Sequence, residues 1–153
     1  MNLVSILTAV LLLLSSAIGC CAGDASYEET VSTIKTVMAG STSDARKESY
    51  NYIRIDKCTL EYNVLGTFPS GGLYNIKYSG MDFSGLKYQG SKAGHDYTAF
   101  VVLNFKKELH AKDDSKDLAI RTVVVNVSDD ASAQVLYRAF LQLGELCGAF
   151  TVN

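Results

Sequence analysis

The sequence has no tryptophan, one proline, two histidines and no excess of basic charge, with 14 Lys and Arg against 16 Asp and Glu in 153 residues. That near-neutral balance, with no basic cluster, excludes a nucleic-acid binder that works by neutralising phosphates. No Cys-x-x-Cys or Cys/His cluster occurs, which speaks against a structural zinc site. No glycine-rich loop leads into a helix with a Lys-Ser/Thr pair, and no nucleophile elbow surrounds a serine. The length is too short for a multidomain enzyme, and 48% apolar content is too high for a disordered tail. No cofactor motif is present.

Charge is also missing at the front, where no charged side chain precedes Asp24 and residues 3–18 are mostly Leu, Val, Ile, Ala and Ser. About 16 such residues fall short of the roughly 20 that span a bilayer, and the run ends in small residues, so 1–19 reads as a signal peptide. Its start, Met1-Asn2-Leu3-Val4-Ser5, lacks the usual Lys or Arg. Two readings of the junction Ala17-Ile18-Gly19-Cys20 place the same cut before Cys20. One is an ordinary signal-peptidase site; the other is a relaxed lipobox with Cys20 acylated, each buried methylene contributing about 0.8 kcal/mol to anchoring. Residues 20–25 are then a linker or lipid-anchor segment, and 26–150 a single domain. The chain is expected in the periplasm, on the outer membrane as a lipoprotein, or outside the cell.

Ser26 followed three residues later by Glu29 is a capping box, and Tyr27, Val31, Ile34, Val37 and Met38 repeat at helical spacing up to Gly40. A helix of about twelve residues is predicted there. The period then becomes two. Tyr50 and Tyr52 alternate with Ile53 and Ile55, and Cys58, Leu60, Tyr62 and Val64 continue on the opposite parity, so a bulge or tight turn belongs at Asp56-Lys57. The lone proline sits in the turn Thr67-Phe68-Pro69-Ser70-Gly71-Gly72. Tyr74, Ile76 and Tyr78 form a third strand, and glycines 80, 85, 90 and 94 suggest a meander of short pieces. Both parities are apolar from Asp96 to Phe105, as in a central strand covered on two faces. Lys106 to Asp117, which includes His110, reads as a solvated hairpin tip, and Leu118 to Val127 as the last strand.

Ser128-Asp129-Asp130 caps a final helix with a stripe of Val135, Leu136, Ala139, Phe140, Leu143, Leu146 and Cys147. At about 1.5–3 kcal/mol for each large apolar side chain buried, that stripe must dock on the sheet. The order predicts an α+β domain: a strongly bent antiparallel sheet or partial barrel of five to seven strands, with the N-terminal and C-terminal helices packed on it. Cys58 and Cys147 have two readings. A disulfide would stabilise by about 4 kcal/mol in the chain-entropy model; two buried free thiols are favoured by the apolar face each occupies.

The segments Tyr27-Glu28-Glu29-Thr30-Val31, Asp56-Lys57-Cys58-Thr59-Leu60-Glu61-Tyr62 and Ala139-Phe140-Leu141-Gln142-Leu143-Gly144-Glu145-Leu146-Cys147-Gly148 resemble those of uncharacterised exported bacterial domains with a pleckstrin-homology-like fold. The resemblance covers most of the mature chain. It implies a bent sheet closed at one end by the terminal helix, a fold that hosts lipid, peptide and protein binding alike. Only Arg54 and Lys57 stand in the first hairpin, so the phosphoinositide binding of some relatives does not carry over.

Chemistry is sparse. His95 and His110 fall in predicted turns with no sequence neighbour to orient a base, Asp113-Asp114 and Asp129-Asp130 point apart or cap a helix, and the sequon Asn126-Val127-Ser128 ends in a helix cap. Neither an active site nor a metal site is predicted. The aromatic weight lies in nine tyrosines. Tyr50, Tyr52, Tyr74 and Tyr78 are candidates for an interaction face, since rigid amphipathic rings on a sheet suit a protein, peptide or glycan partner, although tyrosine is also a good strand residue. The expected function is a non-enzymatic binding domain, membrane-associated only through an N-terminal lipid. An apolar-ligand carrier between sheet and final helix, or a hydrolase, are the alternatives. A cavity of roughly 300 Å³ in the core would favour the carrier, an exposed apolar patch the binding domain, and polar groups converging on a histidine the enzyme.

Overall fold

The computed structural model describes residues 25–43 and 47–150. The leader and Cys20 lie outside the described residues. Helix α1 spans Tyr27–Gly40 and opens on the predicted box, with the Ser26 N–H donating to Glu29 and the Glu29 N–H to Ser26 Oγ. It buries Thr30, Ile34 and Met38 at a spacing of one helical turn. Beyond the two-residue strand β1 (Thr42–Ser43), β2 (Glu48–Asp56) and β3 (Thr59–Thr67) form a hairpin that turns through Lys57 and Cys58, with Asp56 paired to Thr59. This tight turn accounts for the change of parity.

The bulge in this hairpin lies elsewhere. Asn51 pairs with Asn63 and Arg54 with Glu61, so Tyr52 and Ile53 together face Tyr62. Tyr52 takes a left-handed φ of 51° and is 81% exposed. Strict alternation would have put Tyr50 and Tyr52 on one face; the bulge separates them.

Strand β4 (Leu73–Asp82), a 3-10 turn (Phe83–Gly85) and β5 (Leu86–Asp96) replace the expected meander with two long strands. Strand β6 (Thr98–Lys112) runs on through most of the segment expected as a tip, and β7 (Asp117–Val127) returns along it. The sheet is antiparallel, in the order β1-β2-β3-β4-β6-β5, with β7 also on β6. Strand β4 meets β6 over only three pairs, Lys77–Ser79 with His110–Lys112, and β5 takes the rest of that edge. No ladder joins β1 or β2 to β7 among the described residues. The sheet is therefore neither closed nor strongly curled, which corrects the expected strong bend or partial barrel. Because the narrow β4–β6 contact is shared with β5, the ladder divides at β6 and does not run on into a ring.

Helix α2 (Asp130–Leu146) starts on Asp129, whose carboxyl accepts the Ser132 N–H at 2.7 Å and is held below the usual carboxylate range chiefly by that bond. It docks on α1, β5, β6 and β7 as expected. Leu136, Ala139, Phe140 and Leu143 are buried, while Val135 and Leu146 from the predicted stripe lie at its edge and stay half exposed. Phe83 stacks on Phe140 at 5.5 Å and meets Phe105 edge-on at 5.6 Å, filling the space between helix and sheet. The position expected for a carrier's ligand is thus occupied by core.

Cys58 and Cys147 form a disulfide, Cα to Cα 5.8 Å, which overturns the preference for free thiols. Docking α2 brings its C-cap residue Cys147 to the β2–β3 turn, where the Tyr27 hydroxyl also donates to the Lys57 carbonyl oxygen. Such a bond belongs to an oxidising compartment. Among the described residues no helix is long and apolar enough to cross a membrane.

Candidate functional site

One face of β2, β3 and β4 lines a cleft of about 420 Å³ whose opposite side is β7. Alternation along each strand builds it: Glu48 and Tyr50 from β2, Tyr62 and Val64 from β3, Tyr74, Ile76 and Tyr78 from β4. The turn residues Phe68 and Pro69 close one end, and Val123, Val124 and Asn126 line the β7 side. Rings dominate the lining. Tyr50 and Tyr62 meet edge-on at 5.7 Å, Tyr62 and Tyr78 stack at 5.1 Å, and Phe68 tilts against Tyr74 at 4.8 Å.

At the centre is Glu48, only 6% exposed. Tyr74 donates its hydroxyl to Glu48 Oε1, and Asn126 Nδ2 donates to Oε2 at 2.5 Å. The Tyr50 hydroxyl donates to the Asn126 carbonyl oxygen at 2.8 Å, with Glu48 Oε2 a further 3.4 Å contact. These bonds tie β2 to β7 by side chains where no ladder does. Tyr74 reaches Glu48 across Gly66, its cross-strand partner. A Cβ at Gly66 would overlap the Tyr74 phenol and come within 2.9 Å of Glu48 Cγ, so the site requires glycine there for space.

Tyr62 is 1% exposed and its hydroxyl has no hydrogen-bond partner. An unpaired buried hydroxyl costs about 1–3 kcal/mol, and buried polar groups are otherwise almost always satisfied. Burial pushes the Tyr62 and Tyr50 phenols well above the usual tyrosine range, and the neighbouring Glu48 charge adds to this. Tyr78 is raised for the same two reasons. At neutral pH all three are protonated.

Of the four tyrosines expected on an interaction face, Tyr50, Tyr74 and Tyr78 line the cleft and Tyr52 lies outside it. Sequence reasoning missed Glu48, Tyr62 and Asn126 as site residues. Glu48 shares the strand phase of Tyr50, two residues on, and that phase was the available signal. His95 and His110 lie in β5 and β6, not in turns, each exposed and facing one carboxylate, Asp130 at 2.7 Å and Asp117 at 3.0 Å. Neither reaches the cleft, whose lining has no His, Cys, Ser or Lys. No group of His, Cys, Asp and Glu suited to a metal ion occurs among the described residues. No family model, curated protein or solved structure matches the chain.

Proposed function

We propose that the chain is an exported, non-enzymatic binding domain that takes a small ligand, or one side group of a protein, peptide or glycan partner of the cell envelope or exterior, into the tyrosine-lined cleft. One observation carries this: apolar and aromatic walls surround a fixed polar centre, the Glu48 carboxyl held by Tyr74 and Asn126. The described lining holds no Ser, Cys, Lys or His, which favours binding over hydrolysis. The disulfide and the leader favour export, and a lipid on Cys20 would tether the domain to a membrane. No ligand is carried over from the pleckstrin-homology-like resemblance.

The test is protein-observed NMR on tyrosine rings, titrated with a panel of single-ring and branched aliphatic amines, alcohols and carboxylates. Shifts that cluster on Tyr50, Tyr62, Tyr74 and Tyr78 and spare the exposed Tyr52 and Tyr97 are the expected result. Shifts confined to Tyr52 and Tyr97, or none with any member of the panel, would overturn the reading.

A further inference from the structure

We infer that the outer face of β2, β3 and β4 carries a second ligand site, for an uncharged sugar ring that stacks on Tyr52. The site lies outside the cleft, and the inference does not depend on the cleft. It starts from the backbone. Among the described residues Lys47, Tyr52, Lys57 and Tyr97 are the non-glycine positions with a positive φ; Tyr52 lies inside a strand, and the other three fall outside strand bounds. Left-handed backbone suits glycine and opposes a bulky side chain, so a tyrosine held there is strained. Strained residues cluster where they serve a function, and bulges re-aim side chains beside sites. Core packing does not explain this ring, which is 81% exposed.

The second observation is what stands beside the ring. Tyr52, Arg54, Glu61, Asn63 and Lys77 line one shallow hollow of about 520 Å³. Register puts them there: Asn63 pairs with Asn51 on one side and Lys77 on the other, and Arg54 pairs with Glu61, so their side chains share one face of the three strands. Glu61 and Asn63 are half-buried and so fixed in place, while Arg54 and Lys77 are exposed at the margin. Arg54 also meets Asp56 at 3.3 Å. The set mixes roles: a carboxylate that only accepts, two cations that only donate, and an amide that does both. Neighbouring hydroxyls on a sugar ring are each donor and acceptor, and they match such a mixture. An anion would be repelled by Glu61, and a cation by Arg54 and Lys77. The remaining face of a pyranose, its axial C–H groups, is flat and apolar and fits against an exposed phenol, whose rigid ring is held at little entropic cost. A peptide of similar width offers no such pairing of a hydroxylated edge with an apolar ring face.

The experiment follows the Tyr52 ring and Asn63 amide signals by NMR while the disulfide-bonded chain is titrated with cellotetraose and tri-N-acetylchitotriose. Sorbitol, tetragalacturonate and acetyl-tetraalanine amide are titrated in parallel. At least one of the two neutral oligosaccharides should shift both signals saturably and bind about tenfold or more tighter than sorbitol, which has the hydroxyls without a ring face. Tyr52→Gly should weaken that binding about tenfold or more with the fold kept, because it relieves the φ of 51°. Tyr52→Phe keeps the ring and should stay within about threefold of wild type, and Asn63→Ala should weaken binding about three- to tenfold. Tyr97→Ala should change nothing, although that ring is 93% exposed. The wild-type comparison needs no variant. Failure of both neutral oligosaccharides to move Tyr52 overturns the assignment, as does binding that survives Tyr52→Gly. Sorbitol, tetragalacturonate or the peptide binding Tyr52 as tightly as the neutral oligosaccharides also overturns it. None of these results bears on the cleft, whose rings are read separately.

Discussion

Raising the pH should unfold this protein through its buried tyrosines, and the size of the effect follows from the cleft. Tyr50 and Tyr62 are 6% and 1% exposed, and burial holds both phenols well above their usual range. In the unfolded chain each ionises at about pH 10. A group with a raised folded pKa contributes stability that is fully present below the unfolded value and is lost as pH climbs toward the folded one. Above about pH 10 the unfolded chain binds fewer protons, so each of the two phenols lowers stability by ~1.4 kcal/mol per pH unit. Together they remove up to about 2.8 kcal/mol per pH unit between the unfolded and the folded pKa, against a typical total of roughly 5–15 kcal/mol. The assay follows tyrosinate absorbance and far-ultraviolet circular dichroism in parallel over stepped pH. The Tyr50 and Tyr62 rings should ionise only as the dichroism is lost. In urea titrations at several alkaline pH values, Tyr62→Phe should reduce the slope of stability against pH by up to about 1.4 kcal/mol per unit and should not destabilise at pH 7, because the hydroxyl it removes is buried without a partner. Tyr50 and Tyr62 titrating near pH 10 with an unchanged fold, or an unchanged slope in Tyr62→Phe, would refute the reasoning.

Gly66→Ala should destabilise by about 2 kcal/mol, because the new methyl displaces Tyr74 from its bond to Glu48; urea denaturation reads this, and a neutral result would show that Tyr74 does not need the space. Replacing Cys58 and Cys147 by Ser should cost about 4–5 kcal/mol for a loop with a separation of 89 residues, with a fall in Tm of order 15 °C; calorimetry showing no shift would mean the bond is not formed in solution. Tyr52→Gly should be neutral or stabilise by about 0.5–1 kcal/mol, since the left-handed φ of 51° suits glycine and the ring is exposed; a clear loss of stability in urea would show that the ring contributes packing at the bulge. Mass spectrometry of the mature chain from a host that processes it should find Cys20 first in sequence, with a mass increase if the lipobox reading holds and none if an ordinary signal peptidase made the cut.

Local patterns carried much of the architecture. Ser26 and Glu29 lie within one helical turn, so their reciprocal cap was legible from spacing alone, as was the cap of Asp129 on α2. Leu136, Phe140 and Leu143 repeat every three or four residues, which required α2 to bury one side wherever it docked. The two-residue period from Tyr50 to Val64 required strands, and the parity change required a bulge or turn at Asp56-Lys57, one residue from the turn through Lys57 and Cys58 that is found. Strand length was harder to read: glycines 80, 85, 90 and 94 suggested breaks, yet β4 and β5 absorb them as bulges and a short turn.

The sequence by itself determined that the chain makes two capped helices around an antiparallel sheet, because caps and periodicities depend on residues a few positions apart. Only the tertiary structure decided which cysteines bond, which tyrosines turn inward and where the polar centre lies. Glu48, Gly66, Tyr74 and Asn126 meet at one point from four places in the chain, up to 78 residues apart. A one-residue bulge sends Tyr52 out to solvent while Tyr50 stays in. Register, bulges and docking set those contacts, and they are properties of the whole packed sheet, not of any short stretch of sequence.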